Sequence, residues 1–468
     1  MPVIVLVADG ARVDAFAGAM DGLPALRRLR DEGGLHVVTS VFPSVTGPAY
    51  TPFLVGRFPG GVGIPGIRWF DRARTTCRWP SWSRSYVGID ISKVDTDLAA
   101  DVPTIFDLVP NSLGAMSVIT RGLARHRQHG TLTIRSALRV ATTHFRGPVD
   151  RWLEMDREVL DTIPRIIREE RPDFVFAAMV GVDKGSHSAG ADSAMVRDAL
   201  ALVDATAARI RDDAERGGYW DSTHLWIVSD HGHSAVHTHD DLADVLRRQG
   251  FRTVSHPVPV GLRSEVAVMV SGNAMAHVYV DLARRTRPWW PALAARWNPV
   301  VEMLSNRSAV DLVLLPVSPS ECVIRSGRRG DAVLTLSDGI YRYRCASGDP
   351  LGAGCDIDGD AETTYDAMRE SDYPDALVQI MALAGAARSG DIILSASPGF
   401  DFRARFEPVP HVSAHGALHR DHMLVPLLTN RRPARIPRRT ADVFASAIDA
   451  LGVREPGVMD GVSFIRRA

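Results

Sequence analysis

The chain has 468 residues, 45% apolar and 23% charged, the make-up of an ordinary globular protein with room for insertions around a large core. Its 54 Lys and Arg nearly balance 55 Asp and Glu, leaving a formal charge of -1. The cationic excess needed to hold a nucleic-acid polymer or an anionic membrane surface is therefore missing.

The first run, VIVLVA (3–8), is a buried strand that ends on Asp9. No charged n-region precedes it and no apolar run reaches about 18 residues, so neither a signal peptide nor a transmembrane helix is expected. A cytoplasmic location follows. In that compartment Cys77, Cys322, Cys345 and Cys355, which have no CxxC spacing, are expected as free thiols. A Cys345–Cys355 bridge would go with export.

Further strands are expected at HVVTSV (36–41), MSVIT (116–120), DFVFAAMV (173–180) and HLWIVSD (224–230). Helical patterns lie between them over 23–33, 151–170 and 194–217, the last closing on a Gly-Gly pair. Near-continuous apolar strands alternating with helices predict an α/β fold: a mostly parallel central sheet sandwiched by helices. Residues 66–101, rich in Arg, Trp, Ser and Asp, form a cap-like loop, and 255–390 an α+β insertion of short strands. DIILSASPG (391–399) is then expected to return to the core, giving a core of 1–254 and 391–468.

Acids and histidines gather where strands end. Asp9 closes the first strand, Asp183 and His187 follow 173–180 in GVDKGSH, and Asp230 and His231 follow 224–230 in SDHGH. In open α/β sheets ligands sit beyond the carboxyl ends of the strands. One Asp after a strand is usually a turn or a helix cap. Three such turns on one sheet edge, two with a histidine, make a carboxylate–imidazole set that suits zinc or manganese. Thr46, in FPSVTGPAY, sits where a strand gives way to a helix, and local sequence alone reads it as an N-cap. A metal beside it would make its hydroxyl a nucleophile.

Five motifs in order, VADGARVD, FPSVTGPAYTPFLVGRFPGGVGI, GVDKGSH, SDHG and SAHGALHRDHMLVPLL, resemble the alkaline phosphatase superfamily, closest to its type I phosphodiesterase/nucleotide pyrophosphatase branch. The resemblance implies two divalent ions, zinc favoured and manganese second. One is held by Asp183, His187 and His415, the other by Asp9, Asp230 and His231, with Thr46 reaching the second and becoming covalently modified. Only the resemblance singles out His415 from His411, His419 and His422. It also implies a small phosphodiester or pyrophosphate substrate, with Gly47 giving backbone donors and Trp69, Phe70, Trp79, Trp82 and Tyr86 near the leaving group. The branch usually has Thr-Phe-Pro-Asn where this chain has Thr46-Gly47-Pro48-Ala49. Tyr50, Thr51 and Lys184 are the candidates to replace that amide. The Cys/Ser-x-Pro-x-Arg motif of sulfatases is absent. A phosphotransferase, a monoesterase or an inactive metal scaffold are the alternatives, and nothing in the sequence fixes the oligomer. His233, His237 and His239 are expected at the surface or behind the ligands.

Overall fold

The computed structural model describes residues 2–74, 83–130, 150–261, 263–403 and 411–465, so Cys77, Trp79 and Trp82 lie outside the described residues. Its centre is a seven-stranded sheet in the order Leu35–Thr39, Leu424–Thr429, His224–Val228, Val3–Ala8, Phe174–Met179, Ser112–Ala115, Gln128–His129. Val3–Ala8 runs parallel to both of its neighbours, pairing Val3 with Phe174 on one side and with His224 on the other. All three strands are buried along their whole length.

Side chains alternate across a strand, and each face has its own core. Val3, Val5 and Val7 pack with Phe53, Phe176 and Trp226. Ile4, Leu6 and Ala8 pack with Val203 and Ile210 of helix Ala194–Arg216 and Ile163 of helix Asp150–Glu170. This is the expected helix-covered α/β sheet. It is parallel except where Leu424–Thr429 runs antiparallel to both Leu35–Thr39 and His224–Val228. The strand expected at 116–120 forms earlier, at Ser112–Ala115. Met116 turns the chain with a left-handed φ of 53°, and the Ser117 hydroxyl donates to Ile119 O within the bend.

A second sheet has nine strands, Thr253–Ser255, Val266–Ser271, Met275–Val280, Ile392–Ala396, Val310–Ser318, Glu321–Ser326, Gly330–Ser337, Ile340–Cys345 and Ile357–Gly359. Ile392–Ala396, expected as a strand of the core, pairs antiparallel with Met275–Val280 and Val310–Ser318. Its alternate residues are needed in two places: Ile392 and Leu394 pack with Val278 and Val313, and Ile393 with Leu312 and Leu314. A small third sheet joins Gly399–Asp401, Ser234–His239 and Ser413–Ala414, tying the chain after Asp230 to the segment that carries His415.

Cys345 and Cys355 form a disulfide, with Cα atoms 5.4 Å apart, correcting the free-thiol expectation for this pair. The strand ends at Cys345 and the chain folds back on itself within ten residues, a return that spacing rules for metal and redox motifs do not register. Cys322 is free and buried. No helix among the described residues is long and apolar enough to cross a membrane.

Candidate active site

Asp9 directly follows the central strand, and Asp230 follows its neighbour by two residues. The strand Phe174–Met179 feeds helix Gly181–Ala189, which carries Asp183 and His187 on one face, four residues apart. That helix has no cap from its own preceding residue. Asp156, from helix Asp150–Glu170, supplies one instead: its carboxylate accepts from Val180 N at 2.8 Å and Gly181 N at 2.9 Å. Gly10 makes the convergence possible. It turns with φ 74°, and a Cβ there would lie 2.8 Å from His233 Nε2 and 3.0 Å from Asp183 Cα.

Two buried groups result: Asp183, His187, His233 and His415, and Asp9, Asp230 and His231. Within each, one ligand atom per residue lies within 4.8 Å of all the others. In the first, the Nε2 atoms of His233, His187 and His415 approach Asp183 Oδ1 at 3.0, 3.3 and 3.6 Å. The far nitrogens of two of these rings face backbone carbonyls: His187 Nδ1 is 2.9 Å from Ser413 O and His415 Nδ1 2.9 Å from Ser44 O. A carbonyl only accepts, so each Nδ1 carries a hydrogen and Nε2 is the atom that each ring turns to the carboxylate. Imidazole nitrogens gathered with a carboxylate in a buried place form the donor set of a divalent cation. The donor set fits a divalent ion of the zinc type.

The second group repeats the pattern. His231 Nδ1 faces Gly232 O at 3.1 Å, while its Nε2 lies 3.5 Å from Asp9 Oδ1 and 3.6 Å from Asp230 Oδ2. Asp230 Oδ1 accepts from Gly10 N, but Oδ2 is buried without a hydrogen-bond partner. Burial, with Asp230 and Asp183 close by, pushes the Asp9 carboxyl well above its ordinary range. Burial likewise pushes Asp230 up to about 7. Asp183 is also raised by burial, but the Lys184 and His187 charges outweigh this and hold it well below the ordinary range. Crowded buried carboxylates of this kind mark a site built around positive charge.

Thr46 joins this second group. Its Oγ1 is 3.2 Å from Asp9 Oδ1 and 3.0 Å from His231 Nε2. The two groups touch through His231 and His415, whose rings stack at 3.7 Å between centroids. The expected helix after Thr46 is only the single turn Pro48–Tyr50 followed by Thr51–Leu54. Gly47, at φ 93°, makes the bend between Thr46 and the turn. Ala49 and Tyr50 spend their N–H groups on Val45 O and Gly47 O.

The remaining candidates differ in their surroundings. Ala49 is fully buried among Val41, Phe58 and Val378, away from Thr46, so an amide side chain there would meet a hydrophobic core. The Tyr50 hydroxyl donates to Asp9 Oδ2 at 3.0 Å, and Thr51 Oγ1 donates to Pro48 O. Of the three suggested replacements, Lys184 remains. It is half-buried, with Nζ 2.7 Å from Asp183 Oδ2 and 5.4 Å from the centre of the Trp152 ring. Trp69 is fully buried, its Nε1 donating to Tyr86 OH, and Phe70 packs 5.6 Å from Tyr279. These aromatics pack the cap.

Among the other histidines, His233, expected at the surface or behind the ligands, is fully buried with its Nε2 against Asp183 Oδ1. The repeated imidazole in SDHGH, two residues after His231, was the available signal. His237 is exposed, and His239 pairs with Asp401. His422 Nδ1 accepts from Ala417 N behind the site. His411 stacks 4.3 Å from His187 and accepts from Asn273 Nδ2 at 2.7 Å. A cavity of about 1300 Å³ lined by His224, Trp226 and Phe464 lies where strand His224–Val228 begins, at the opposite end of that strand from Asp230.

Among curated proteins no sequence matches this chain. Solved structures do match in fold. Phosphonoacetate hydrolase from Sinorhizobium meliloti 1021, in complex with phosphonoacetate, has 16% identity and a TM-score of 0.59 over 96% of both chains. Human ectonucleotide pyrophosphatase/phosphodiesterase 5 has 14% identity and a TM-score of 0.59 over 98% of this chain and 97% of its own. An inactive murine form of the latter, in complex with AMP, has 12% identity and a TM-score of 0.56 over 97% and 96%. The family model for type I phosphodiesterase/nucleotide pyrophosphatase matches residues 3–418, a span from the first strand through both Asp/His groups. The chain belongs to the type I phosphodiesterase/nucleotide pyrophosphatase family and is a metal-dependent phosphoric ester hydrolase.

Proposed function

We propose that the protein hydrolyses small phosphodiesters or pyrophosphates by two displacements at phosphorus, with Thr46 as the covalent nucleophile. The observation that carries this reading is the position of Thr46 Oγ1, 3.0 Å from His231 Nε2 and 3.2 Å from Asp9 Oδ1, at the edge of one ligand group and beside the other. Two divalent ions held by Asp183, His187, His415 and by Asp9, Asp230, His231 supply Lewis acidity to the attacking and leaving oxygens. Zinc is favoured over manganese by the share of imidazole among the donors.

The chain's own part is positional. Asp9 Oδ1 and His231 Nε2 are both in reach of the Thr46 proton, and Tyr50 fixes Asp9 through its other oxygen. Thr46 Oγ1 then bonds to phosphorus as the leaving alkoxide departs. Water completes the cycle by displacing Thr46, which recovers its proton. Lys184, anchored on Asp183, is the side-chain cation we assign to a non-bridging phosphate oxygen. Turnover of bis(p-nitrophenyl) phosphate against p-nitrophenyl phosphate separates diesterase from monoesterase, and mass spectrometry of a quenched reaction finds the Thr46 adduct. Inversion at phosphorus with a chiral thiophosphate substrate would refute the two-step route. The Cys345–Cys355 bridge favours an oxidising compartment over the cytoplasm. Thiol titration of protein from its native source decides between them.

A further inference from the structure

The family ligand pattern accounts for three residues of the first group, and His233 is left over. Its surroundings fix what it does. Ser413 Oγ lies 2.7 Å from Ser186 O, a carbonyl that only accepts, so the serine's one hydrogen is spent there. The same Ser413 oxygen is 3.0 Å from His233 Nδ1. That contact is a hydrogen bond only if Nδ1–H donates. Nε2, the other ring nitrogen, sits 3.0 Å from Asp183 Oδ1, nearer than the Nε2 of either His187 or His415. Neither atom reaches water, both side chains being at most 2% exposed, so the pair is held either by a proton on Nε2 or by a cation that both atoms ligate. Four ligand atoms, one from each of Asp183, His187, His233 and His415, lie within 4.8 Å of one another, the spacing of a metal cage rather than of a single ion pair.

We infer that His233 Nε2 is a fourth protein ligand of the first metal ion, which is thus held by one carboxylate and three imidazoles. Ser413 is its orienting partner, as the carbonyls of Ser413 and Ser44 are for His187 and His415. All three rings are locked through Nδ1 and aim Nε2 at one carboxylate oxygen, the arrangement that makes imidazole a strong and fixed ligand. Four protein donors are the full complement of tetrahedral zinc. The second group offers three Asp and His donors plus the Thr46 hydroxyl. The two sites would therefore differ in kind, the first offering four protein donors to its ion and the second three plus a hydroxyl.

This inference rests on the two-metal reading, but its test does not depend on turnover. The full chain, labelled with ¹⁵N in its imidazoles, is titrated with zinc and followed by NMR. His233 is assigned from the signals that vanish in His233→Gln. The expected result is that the first equivalent shifts the Nε2 resonances of His187, His233 and His415 together, with all three Nδ1–H groups retained. The Gln variant should lose about 100-fold or more in affinity for the first zinc, at or beyond the top of the 10–100-fold seen when only an outer partner is removed. An Nε2 of His233 that stays protonated in the zinc-loaded protein would overturn the assignment and make His233 an ion-pair partner of Asp183. So would zinc affinity in His233→Gln within tenfold of the parent. If the variant does not fold, His233 is assigned in the wild-type protein from the through-space contacts of its ring with Ser413, and that spectrum decides alone. Zinc held by three imidazoles in a protein that turns over no phosphate ester keeps the ligand assignment and sinks the proposed function. Full turnover with an unshifted His233 does the reverse.

Discussion

Asp156→Ala is the substitution whose effect can be worked most directly from the structure. The carboxylate is buried and accepts from two backbone N–H groups, Val180 N and Gly181 N, at the head of the helix that carries Asp183 and His187. Removing it leaves two buried donors without partners, at about 1–3 kcal/mol each. Water entering the space left by the side chain recovers part of this, so the expected loss is about 2–4 kcal/mol at pH 5. Burial pushes the Asp156 carboxyl up to about 7 from an ordinary 3.8. Between those values the native state binds the extra proton, so this residue's contribution to stability falls as pH rises from about 4 to about 7 and is flat above. The full linkage amounts to something on the order of 4 kcal/mol. Denaturant unfolding of both proteins with zinc in excess should therefore give a difference that is largest near pH 5 and shrinks toward pH 8. Zinc affinity at the first site should drop as well, since both of its helical ligands ride on the tethered turn. A difference that grows with pH would show that the two N–H groups hold the ionised form, reversing the sign. A difference below about 0.5 kcal/mol throughout would remove Asp156 as the helix anchor.

Thr46→Ala should keep two metal ions per chain by elemental analysis, yet lose several orders of magnitude in turnover, because positioning and electrostatic stabilisation alone remain. Thr46→Ser should retain appreciable activity. Wild-type turnover in the alanine variant would return Thr46 to a helix cap. Asp183→Ala and Asp230→Ala should each lose one ion and nearly all activity while the sheet still folds, as read from metal content and circular dichroism. A fully active, metal-free protein would sink the entire assignment. Lys184→Ala should lower both turnover and affinity for phosphate analogues, and unchanged kinetics would leave it only its ion pair with Asp183.

What was legible in the sequence follows from how local each signal is. The three central strands were visible because a strand buried on both faces is apolar at every position, as Val3–Ala8, Phe174–Met179 and His224–Val228 are. Asp9, Asp183 and Asp230 were visible because strand ends point to a sheet edge whatever the rest of the fold does. Ile392–Ala396 looked the same as a central strand for the same reason. An apolar run reports burial, and which sheet buries it depends on partners far away in the chain, Met275–Val280 and Val310–Ser318. Cys345 and Cys355 met through a turn that no spacing rule describes. Ala49 showed the opposite failure: a position compared along the sequence was assumed to face the site, whereas its side chain faces Val41 and Val378.

His233 shows where local reading stops. His231 and His233 stand two apart in SDHGH, a spacing consistent with two ligands or with none. Selecting between these needed the direction of one hydrogen bond. Ser413, 180 residues away, accepts from Nδ1 only because its own hydrogen goes to Ser186 O. Ser186 lies on the Asp183 helix, and Ser413 is in the strand that leads to His415. The same short chain of contacts therefore links three of the four residues of the first group and sets the tautomer of the fourth. A site of this kind is specified by which polar atoms are already occupied, and that information exists only once the chain has folded.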